Sequence, residues 1–375
     1  PLLYFGSQKQ ESKSGVMITG SHNPKNYNGV KLIINDKPVS GSEIYNLIDI
    51  DATIPDKLGV TSFQDIKEEY INEVKENIDL KSGKKIKVVI DCGNGAAGCI
   101  APRLFKNIGC EVVELYSEID GNFPNHHPDP GKIENLTELI SKVKETSADL
   151  GLAFDGDGDR VGLITDQGEI IFPDKIMMML SKDILKSNKG SIIFDVKCSN
   201  ALPEIISQLG GTAIMSPTGH FHIKNAIKKH SPLLAGEMSG HIFFNDKWYG
   251  FDDGHYSGAR IIELISKENK TISEINSELP VLFSTPELNI NVTDETKFQI
   301  IKDFSSKCTL NGEKITIDGL RINFENGWGL LRASNTTPKL VLRFEGNSAN
   351  DLNQIKNDFL NELSRICPDI DINLV

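Results

Sequence analysis

The sequence predicts an α/β protein with several domains. Its 375 residues are more than one compact hydrophobic core usually holds, so we expect about two to four domains. Between residues 67 and 285, short apolar strands alternate with amphipathic helices, which is typical of βαβ units. From Glu287 onward the pattern is rich in strands and closes with one amphipathic helix, which indicates a separate small α+β domain.

The composition is that of an ordinary globular protein, with 39% hydrophobic and 25% charged residues. The formal net charge of −12 argues against nucleic acid as a partner. No apolar run approaches the roughly 20 residues that a membrane span needs, and we recognise no signal peptide, so we expect no membrane partner. The six cysteines are scattered, without a Cys-x-x-Cys pair. We therefore expect a reduced, cytoplasmic protein without structural zinc.

The first polar motif directly follows a short apolar stretch. Val16 to Ile18 are expected to form a buried strand, and Gly20 to Pro24 the loop that leaves its end. Such a loop would hold the hydroxyl of Ser21 at the edge of a sheet. Because serine and asparagine are also common helix caps, Ser21 or Asn23 could instead cap a following helix. This stretch alone leaves both interpretations open.

Strands and helices continue along the chain. After a second strand at Val30 to Ile34, a helix is expected to begin at Ser42 and a hinge to lie at Lys57 to Gly59. The elements predicted next are helix 67–77, strands 85–91 and 111–116, helix 136–146, strands 150–154 and 161–165, helix 175–186, strand 191–195, helix 201–209 and strand 212–215. The β-rich part is predicted to contain strands 288–292, 319–324, 328–332 and 340–345 and a final helix, 349–366.

A glycine-rich turn, Gly93 to Gly98, stands between a predicted strand and a helix. The G-x-G-x-x-G pattern is typical of dinucleotide-binding folds, which also place an acidic residue at the end of the next strand to bind a ribose. Here Glu114 lies inside that strand and Glu118 lies beyond it. The pattern therefore favours a structural turn over an NAD site.

Three aspartates, Asp155, Asp157 and Asp159, stand at alternate positions between two predicted strands, and Arg160 follows directly. Hard divalent cations take carboxylate oxygens, and the intervening glycines let the three side chains converge. A calcium-binding EF-hand loop has glycine at its sixth position and flanking helices, whereas this loop has arginine and flanking strands. The loop predicts a Mg²⁺ site beside a phosphate that Arg160 would neutralise. A solvated acidic turn is the alternative.

A second polar loop, Gly236 to His241, places a carboxylate, a hydroxyl and an imidazole between glycines. Glu237 and Ser239 could exchange hydrogen bonds with neighbouring sugar hydroxyls, as polar groups in ligand pockets do. A polar turn between two strands explains the same residues. Further polar candidates that stand outside a compact motif precede this loop: Lys197, Thr218, Gly219 and His220.

A third polar loop joins two strands in the β-rich part. It combines one guanidinium with small hydroxyl and amide side chains, a set that can cradle an anion together with exposed backbone N–H groups. An ordinary hairpin turn capped by serine and asparagine is the alternative. The candidates are Arg332, Ser334, Asn335 and Thr336.

Taken in order, these clusters closely resemble those of the α-D-phosphohexomutase superfamily, in particular its bacterial phosphomannomutase/phosphoglucomutase branch. The resembling stretches are Thr19 to Pro24 for the family's phosphoserine loop, Asp155 to Arg160 for its metal loop, Gly236 to His241 for its sugar loop and Arg332 to Thr336 for its phosphate loop. Asp120 to Pro130 is similar to a signature of the second domain. The resemblance covers essentially the whole chain.

The resemblance implies three related mixed α/β domains, the first truncated here, and a small C-terminal α+β domain around a central cleft. It places one loop in each domain. The expected domains are 1–66 with the phosphoserine loop, 67–169 with the metal loop, 170–285 with the sugar loop and 286–375 with the phosphate loop. We expect a monomer whose partner is a small phosphosugar substrate.

The activity that the resemblance implies is reversible conversion of a hexose 1-phosphate, of mannose and/or glucose, to the hexose 6-phosphate. Ser21 would carry the phosphoryl group and help the three aspartates to bind Mg²⁺. Glucose or mannose 1,6-bisphosphate would be the intermediate and activator. By the same resemblance, Lys31 and His241 are candidates for general acid/base catalysis beside Arg160.

Three other functions stay open, namely a phosphoglucosamine mutase, a phosphosugar phosphatase and a non-catalytic sugar-phosphate binder. Met238 and the Thr19-Gly20 lead-in favour the mannose/glucose branch. The chain also has fewer residues ahead of Ser21 than the family does. We therefore expect the strand Val16 to Thr19 to lose sheet neighbours, which leaves unpaired backbone groups and exposed apolar surface. We also expect lower stability and activity than in a relative with a complete first domain.

Overall fold

The structure, a computed structural model, describes residues 1–48, 59–81, 85–281, 283–372 and 374. Lys57 and Leu58 of the predicted hinge lie outside these ranges. The described residues form four β-sheets with flanking helices, and the last sheet is entirely antiparallel. This arrangement confirms the predicted α/β fold with a small C-terminal α+β part. Among the described residues, no helix is both long enough and apolar enough to cross a bilayer.

The first sheet is small and antiparallel. Its strands, in the order β1-β2-β3, are Gly15–Ile18, Val30–Ile34 and Lys37–Pro38, and the flanking helices are α1, Leu2–Lys9, and α2, Gly41–Ile48. The predicted strand at Val16 to Ile18 is present, but the prediction that it is buried is wrong, since Val16 and Ile18 are 59% and 64% exposed. The reason is that β1 is an edge strand of this sheet.

The second sheet has five strands in the order β5-β4-β6-β7-β8. In chain order the strands are β4, Lys87–Asp91; β5, Glu111–Leu115; β6, Leu150–Phe154; β7, Val161–Thr165; and β8, Ile170–Ile171. The helices are α3, Lys67–Asn77; α4, Ala101–Asn107; and α5, Thr137–Thr146, with 3₁₀ turns at Ala96–Cys99 and Ile133–Leu136. Strands β5, β4 and β6 are parallel, and β7 is antiparallel to β6.

The third sheet repeats this plan. Its strands are β9, Ser191–Asp195; β10, Thr212–Ser216; β11, Leu234–Gly236; and β12, Ile242–Phe244. The order β10-β9-β11-β12, with an antiparallel fourth strand, matches β5-β4-β6-β7 of the second sheet. The helices are α6, Pro173–Ser187; α7, Ala201–Gln208; α8, His220–His230; α9, Gly254–Glu268; and α10, Ile272–Ser277. The shared order confirms that these parts have related folds.

The fourth sheet runs β13-β18-β17-β16-β15, with β14 also paired to β18. The strands are β13, Phe283–Ser284; β14, Leu288–Asn291; β15, Glu313–Ile315; β16, Leu320–Phe324; β17, Gly327–Ala333; and β18, Lys339–Gly346. Two helices, α11, Asp294–Lys307, and α12, Ala349–Ile366, complete a core of its own.

Two of the contacts between the sheets lie close to the polar loops. A backbone bridge pairs Arg160, after β6, with His241, before β12, so the second and third sheets meet there. Between the third and fourth sheets, the fully buried Arg321 donates to the carbonyl oxygens of Val196 and Cys198. Since an unpaired buried carbonyl is costly, Arg321 fixes the fourth sheet to the loop after β9.

Candidate active site

A cavity of about 550 Å³ lies where loops from the four sheets meet. We call these loops the serine loop (Thr19–Pro24), the aspartate loop (Asp155–Arg160), the histidine loop (Gly236–His241) and the arginine loop (Arg332–Thr336). The predicted site residues that line the cavity are Arg160, Lys197, Thr218, Gly219, His220, Glu237, Ser239, His241, Arg332, Ser334, Asn335 and Thr336. The structure therefore brings together residues that are up to 176 positions apart, from Arg160 to Thr336.

Ser21 lies beside this cavity, in the loop between β1 and β2. Its backbone has a positive φ of 49°, and its N–H donates to the hydroxyl oxygen of Thr19 at 2.8 Å. The Ser21 hydroxyl lies 3.4 Å from a carboxylate oxygen of Asp155 and 3.2 Å from Nδ1 of His22. Because the loop leads into a strand, the alternative that Ser21 or Asn23 caps a helix is wrong.

The three aspartates converge as the metal-site prediction requires. Carboxylate oxygens of Asp155, Asp157 and Asp159 all lie within 4.8 Å of one another. Asp155 and Asp159 are fully buried, and Oδ1 of Asp157 is buried without a hydrogen-bond partner among the described residues. Buried carboxylates that converge in this way are costly unless positive charges compensate them. The donor set fits a hard divalent ion such as Mg²⁺.

The charges around the aspartates are unequal. Burial, together with repulsion from Asp159 and Asp157, raises the pKa of Asp155 well above its usual range. Burial also opposes ionisation of Asp159, but Lys31 and His241 outweigh it and hold the pKa of Asp159 well below its usual range. Asp155 is therefore the carboxylate that most needs an added cation, and it is the one nearest to the Ser21 hydroxyl.

Lys31 projects from β2 into the aspartate loop. Its ammonium lies 2.9 Å from Oδ2 of Asp157 and also contacts the carboxylate of Asp159. Burial lowers the pKa of Lys31, but the two aspartates outweigh burial and raise that pKa well above its usual range. Lys31 is thus a positively charged group at neutral pH, held in place by the predicted metal ligands.

His241 connects the histidine loop to the aspartate loop. Its Nε2 lies 3.2 Å from Asp159, and its Nδ1 lies 3.1 Å from Glu237. Burial and the neighbouring Arg160 lower the pKa of His241, but Asp159 and Glu237 outweigh them and raise it to about 9. The hydroxyl of Ser239 lies 3.0 Å from Nδ1 of the same ring. Near neutral pH, the imidazole is therefore a cation.

The far end of the cavity is also cationic. Arg332 is buried, and its Nη2 has no hydrogen-bond partner among the described residues. Ser334 accepts a hydrogen bond from the N–H of Thr337 at 3.1 Å, so Ser334 shapes the turn, as the hairpin alternative expected. Lys197 also lines the cavity, with its ammonium 2.5 Å from Glu287. Burial opposes the charge of Lys197, but Glu287 outweighs it and raises the pKa of that lysine.

The glycine-rich turn at 93–98 supports the aspartate loop. The N–H of Ala96 donates to the carbonyl of Gly156 at 2.8 Å. A Cβ at Gly95 would lie 2.8 Å from that same oxygen, and one at Gly98 would lie 2.1 Å from the carbonyl oxygen of Ser117. The glycines therefore allow close backbone contact, which is the structural role that the sequence favoured over dinucleotide binding.

His22, Glu287 and Asp318 lie at or near the cavity but were not among the site residues predicted from the sequence. His22 lines the cavity, and burial, with the nearby Arg160, lowers its pKa to about 4. Its position next to Ser21 could have identified it. Glu287 pairs with Lys197, and Asp318 accepts a hydrogen bond from Arg332 at 2.9 Å. These two are isolated acidic residues whose sequence surroundings carry no motif.

Comparison with known proteins finds matches to one protein family along most of the chain. Models of the phosphoglucomutase/phosphomannomutase family match in four parts: alpha/beta/alpha domain I at residues 1–52, domain II at 68–168, domain III at 172–283 and the C-terminal domain at 287–362. The phosphomannomutase/phosphoglucomutase of Pseudomonas syringae pv. tomato is 50% identical over 99% of this chain and 80% of that relative.

Two further relatives agree with this match. The phosphoglucomutase of Neisseria gonorrhoeae is 47% identical over 96% of this chain and 79% of that protein. Among solved structures, a phosphoglucomutase/phosphomannomutase family protein from Burkholderia thailandensis has a TM-score of 0.90 and 43% identity. That match covers 96% of this chain and 78% of the solved chain.

Proposed function

Since this chain belongs to the phosphoglucomutase/phosphomannomutase family, within the α-D-phosphohexomutase superfamily, we propose that it interconverts hexose 1-phosphates and hexose 6-phosphates. The enzyme is an isomerase that acts on small phosphosugars. One observation carries the proposal of its chemistry: the hydroxyl of Ser21 lies 3.4 Å from Asp155 in a converging aspartate cluster. Arg332, the proposed second anion site, lines the cavity beside which Ser21 lies.

Ser21 is the proposed phosphoryl carrier. In the first half-reaction, a free sugar hydroxyl attacks the phosphorus of phosphoserine, the bond from phosphorus to the serine oxygen breaks, and a hexose 1,6-bisphosphate forms. The proton of the sugar hydroxyl passes, by way of Lys31 or His241, to the serine oxygen. After the bisphosphate has turned round, the serine oxygen attacks its other phosphate and releases the isomeric monophosphate. Phosphoryl transfer of this kind depends mainly on positioning and charge neutralisation.

Asp155, Asp157, Asp159 and Ser21 are the residues that would hold Mg²⁺. When bound, the ion supplies positive charge to the phosphoryl oxygens and neutralises the carboxylates. Arg160 lies 3.7 Å from Asp155 and lines the cavity. Its guanidinium is therefore placed to bind oxygens of the same transferring group from the cavity side.

Lys31 and His241 are the proposed groups for proton transfer. Both have a raised pKa, so each carries its proton at neutral pH. In this state they can donate to the leaving oxygen, and each can accept a proton only after it has donated one. At the serine end of the cavity, the pair would therefore act as proton donors first.

The arginine loop is proposed to hold the phosphate that does not react. Arg332, Ser334, Asn335 and Thr336 would bind it together with Lys197, which also lines the cavity. Glu237, Ser239, Thr218, Gly219 and His220 line the wall between the two ends and would contact sugar hydroxyls in either orientation. Every residue of this proposed site comes from one chain, so a monomer would suffice.

The test is intact mass of the purified protein before and after incubation with glucose 1,6-bisphosphate and Mg²⁺, with Ser21→Ala alongside. We expect the wild-type chain to gain one phosphoryl group and Ser21→Ala to gain none. Conversion of mannose or glucose 1-phosphate to the 6-phosphate should accompany the gain. Release of free phosphate in place of isomer would indicate a phosphatase, and absence of any mass gain would contradict the proposed carrier.

A further inference from the structure

Asp318 stands behind the arginine loop and is bonded to two parts of the cavity wall. One of its oxygens, Oδ2, accepts from Nε of Arg332 at 2.9 Å and from the backbone N–H of Thr218 at 3.0 Å. Arg332 belongs to the fourth sheet and Thr218 to a loop of the third. A single carboxylate oxygen therefore fixes the wall on both sides of the boundary between these sheets.

The groups that Asp318 holds both line the cavity, whereas Asp318 does not belong to the described residues that form its lining. Its side chain is 15% exposed. The bond to Nε leaves the Nη2 of Arg332 without a partner among the described residues, although Arg332 is buried. A buried guanidinium nitrogen without a partner is costly, and a phosphate oxygen in the cavity would satisfy it.

The turn that contains Asp318 packs closely against β17, the strand that contains Arg332. Gly319 has a φ of 76°, and a Cβ there would lie 2.3 Å from the carbonyl oxygen of Leu331 and 2.7 Å from Cα of Arg332. The backbone next to the carboxylate is thus fixed in contact with the residue that the carboxylate binds. The Thr218 hydroxyl also donates to Asp195 at 3.0 Å. The loop that contains Thr218 is therefore held by both Asp195 and Asp318.

We infer that Asp318 is a positioning residue for the substrate phosphate: it fixes the guanidinium of Arg332 and the Thr218 loop so that both present donors to a sugar phosphate in the cavity. This inference rests on the proposed function of the cavity. Asp318 acts through Arg332 and Thr218 and does not touch the ligand itself.

A positioning role and a purely electrostatic role for Asp318 predict opposite changes in phosphate affinity when its carboxylate is removed. The negative charge of Asp318 opposes binding of an anion, so removing that charge should tighten phosphate binding if charge alone matters. If Asp318 orients Arg332, its removal frees the guanidinium and weakens binding. The direction of the change in affinity therefore separates these two explanations.

The experiment measures the affinity of glucose 6-phosphate by calorimetry, in the presence of Mg²⁺, for the wild-type chain and variants. We expect Asp318→Ala to weaken binding about tenfold. Asp318→Asn keeps an oxygen that can accept from Nε, so it should stay within about threefold of wild type. Asp318→Ser, which keeps a small polar side chain but cannot reach Arg332, replaces the alanine variant if that variant does not fold. Asp303→Ala is the matched control, because Asp303 lies on helix α11, which packs against the same sheet.

A double-mutant cycle with Arg332→Ala tests whether the effect passes through the guanidinium. Because Asp318 also holds the Thr218 loop, the double variant should bind more weakly than Arg332→Ala alone, but by clearly less than the sum of the two single effects. Amide exchange at Thr218 should also become faster in Asp318→Ala than in the control. In turnover, KM should rise by the same factor as the dissociation constant, with a smaller change in kcat.

Unchanged or tighter binding by Asp318→Ala, or full additivity with Arg332→Ala, would overturn the inference about Asp318. Neither result would affect the proposed mutase activity, which is tested separately by phosphorylation of Ser21. A wild-type chain that binds glucose 6-phosphate in an Asp318-dependent way but gains no phosphoryl group would instead overturn the mutase proposal alone. Failure of the wild-type chain to bind the sugar phosphate would overturn both.

Discussion

His255 packs directly beneath the aspartate loop. Its ring stacks on Phe154, with ring centroids 5.1 Å apart, and a Cβ at Gly158 would lie 2.6 Å from its Cε1. The side chain is 3% exposed, and burial lowers its pKa to about 3. The imidazole is therefore neutral in the folded protein at every pH at which the protein is commonly studied.

This neutral histidine predicts acid sensitivity. Because the unfolded chain takes up a proton near pH 6.5 and the folded chain does not, the stability that His255 contributes is lost as pH falls below about 6.5. Between pH 7.5 and 5.5, the wild type should lose about 1.4 kcal/mol more unfolding free energy than His255→Gln. Denaturant unfolding at several pH values measures this, with the exposed His230→Gln as control. Equal losses in wild type and His255→Gln would contradict it.

At the scale of residues, the sequence predicted those parts of the site that stand in compact motifs. Asp155, Asp157 and Asp159 could be recognised because alternate aspartates between glycines have few other uses. Asp318 and Glu287 could not, since each acts on a residue more than 10 positions away, across a strand pairing or a sheet boundary. Their partners are determined by tertiary packing, which leaves no local pattern.

The serine loop and the aspartate loop touch through their backbones. A Cβ at Gly156 would lie 2.1 Å from the carbonyl oxygen of Ser21, so the loops touch where the proposed nucleophile meets the metal ligands. The histidine loop is aligned with the aspartate loop by the backbone bridge at Arg160. The site is thus assembled from loops in direct contact.

Gly156→Ala should therefore impair chemistry more than folding. The added methyl group pushes the half-buried serine loop away, and a displacement of about 1 Å at a reacting group can cost on the order of a hundredfold in rate. We expect the rate of Ser21 phosphorylation by glucose 1,6-bisphosphate to fall by that order, measured by intact mass over time. Gly59→Ala, where a Cβ would meet nothing within 4 Å, should phosphorylate at the wild-type rate. An unaltered rate in Gly156→Ala would show that the loops can separate freely.

At the scale of elements, most strands and several amphipathic helices were predicted, whereas helices His220–His230 and Asp294–Lys307 were not. Strand Leu150–Phe154 and helix Ala349–Ile366 have the expected bounds, because each shows its period clearly. Helix Gly254–Glu268 was missed. Thirteen of its residues are buried, including the charged Arg260 and Glu263, so its charged positions do not mark a solvent face as they do on a surface helix. The prediction that β1 is buried was wrong because it came from apolar composition alone; the loss of sheet neighbours that was also expected for this strand agrees with its exposed edge position.

Buried arginines help to hold the fourth sheet against the rest of the molecule, and Arg321 is one of them. Arg321 also donates to Oδ1 of Asn200 at 2.7 Å and stacks 3.8 Å from the ring of Trp328. Trp328 in turn packs on Val196 of the third sheet. Interfaces of this kind couple the unfolding of the parts they join, because separating them exposes unpaired carbonyls and apolar rings.

Arg321→Met should uncouple the fourth sheet from the rest. The lost hydrogen bonds leave the carbonyls of Val196 and Cys198 buried and unpaired, at a cost of roughly 3 kcal/mol. The chain has two tryptophans, so in a Trp248→Phe background the fluorescence of Trp328 reports on this interface. We expect its denaturation midpoint to fall below that of the far-ultraviolet circular dichroism signal.

Arg365→Met provides the control for this prediction. Arg365 is an arginine of the same part of the chain whose side chain is 52% exposed. Its replacement should leave the two midpoints together. Coincident midpoints in Arg321→Met as well would mean that apolar packing, rather than the guanidinium, couples the sheets.

The backbone bridge at Arg160 and His241 also limits how a sugar phosphate can enter and leave. Opening the cleft between the second and third sheets would break main-chain pairing beside the reacting groups. On the other side, the cavity wall is closed by side-chain contacts, Lys197 with Glu287 and Thr218 with Asp318. Water and ligand oxygens can replace such contacts one at a time. We therefore expect a sugar phosphate to enter and leave on the side of the fourth sheet, where side-chain contacts rather than main-chain pairing border the cavity.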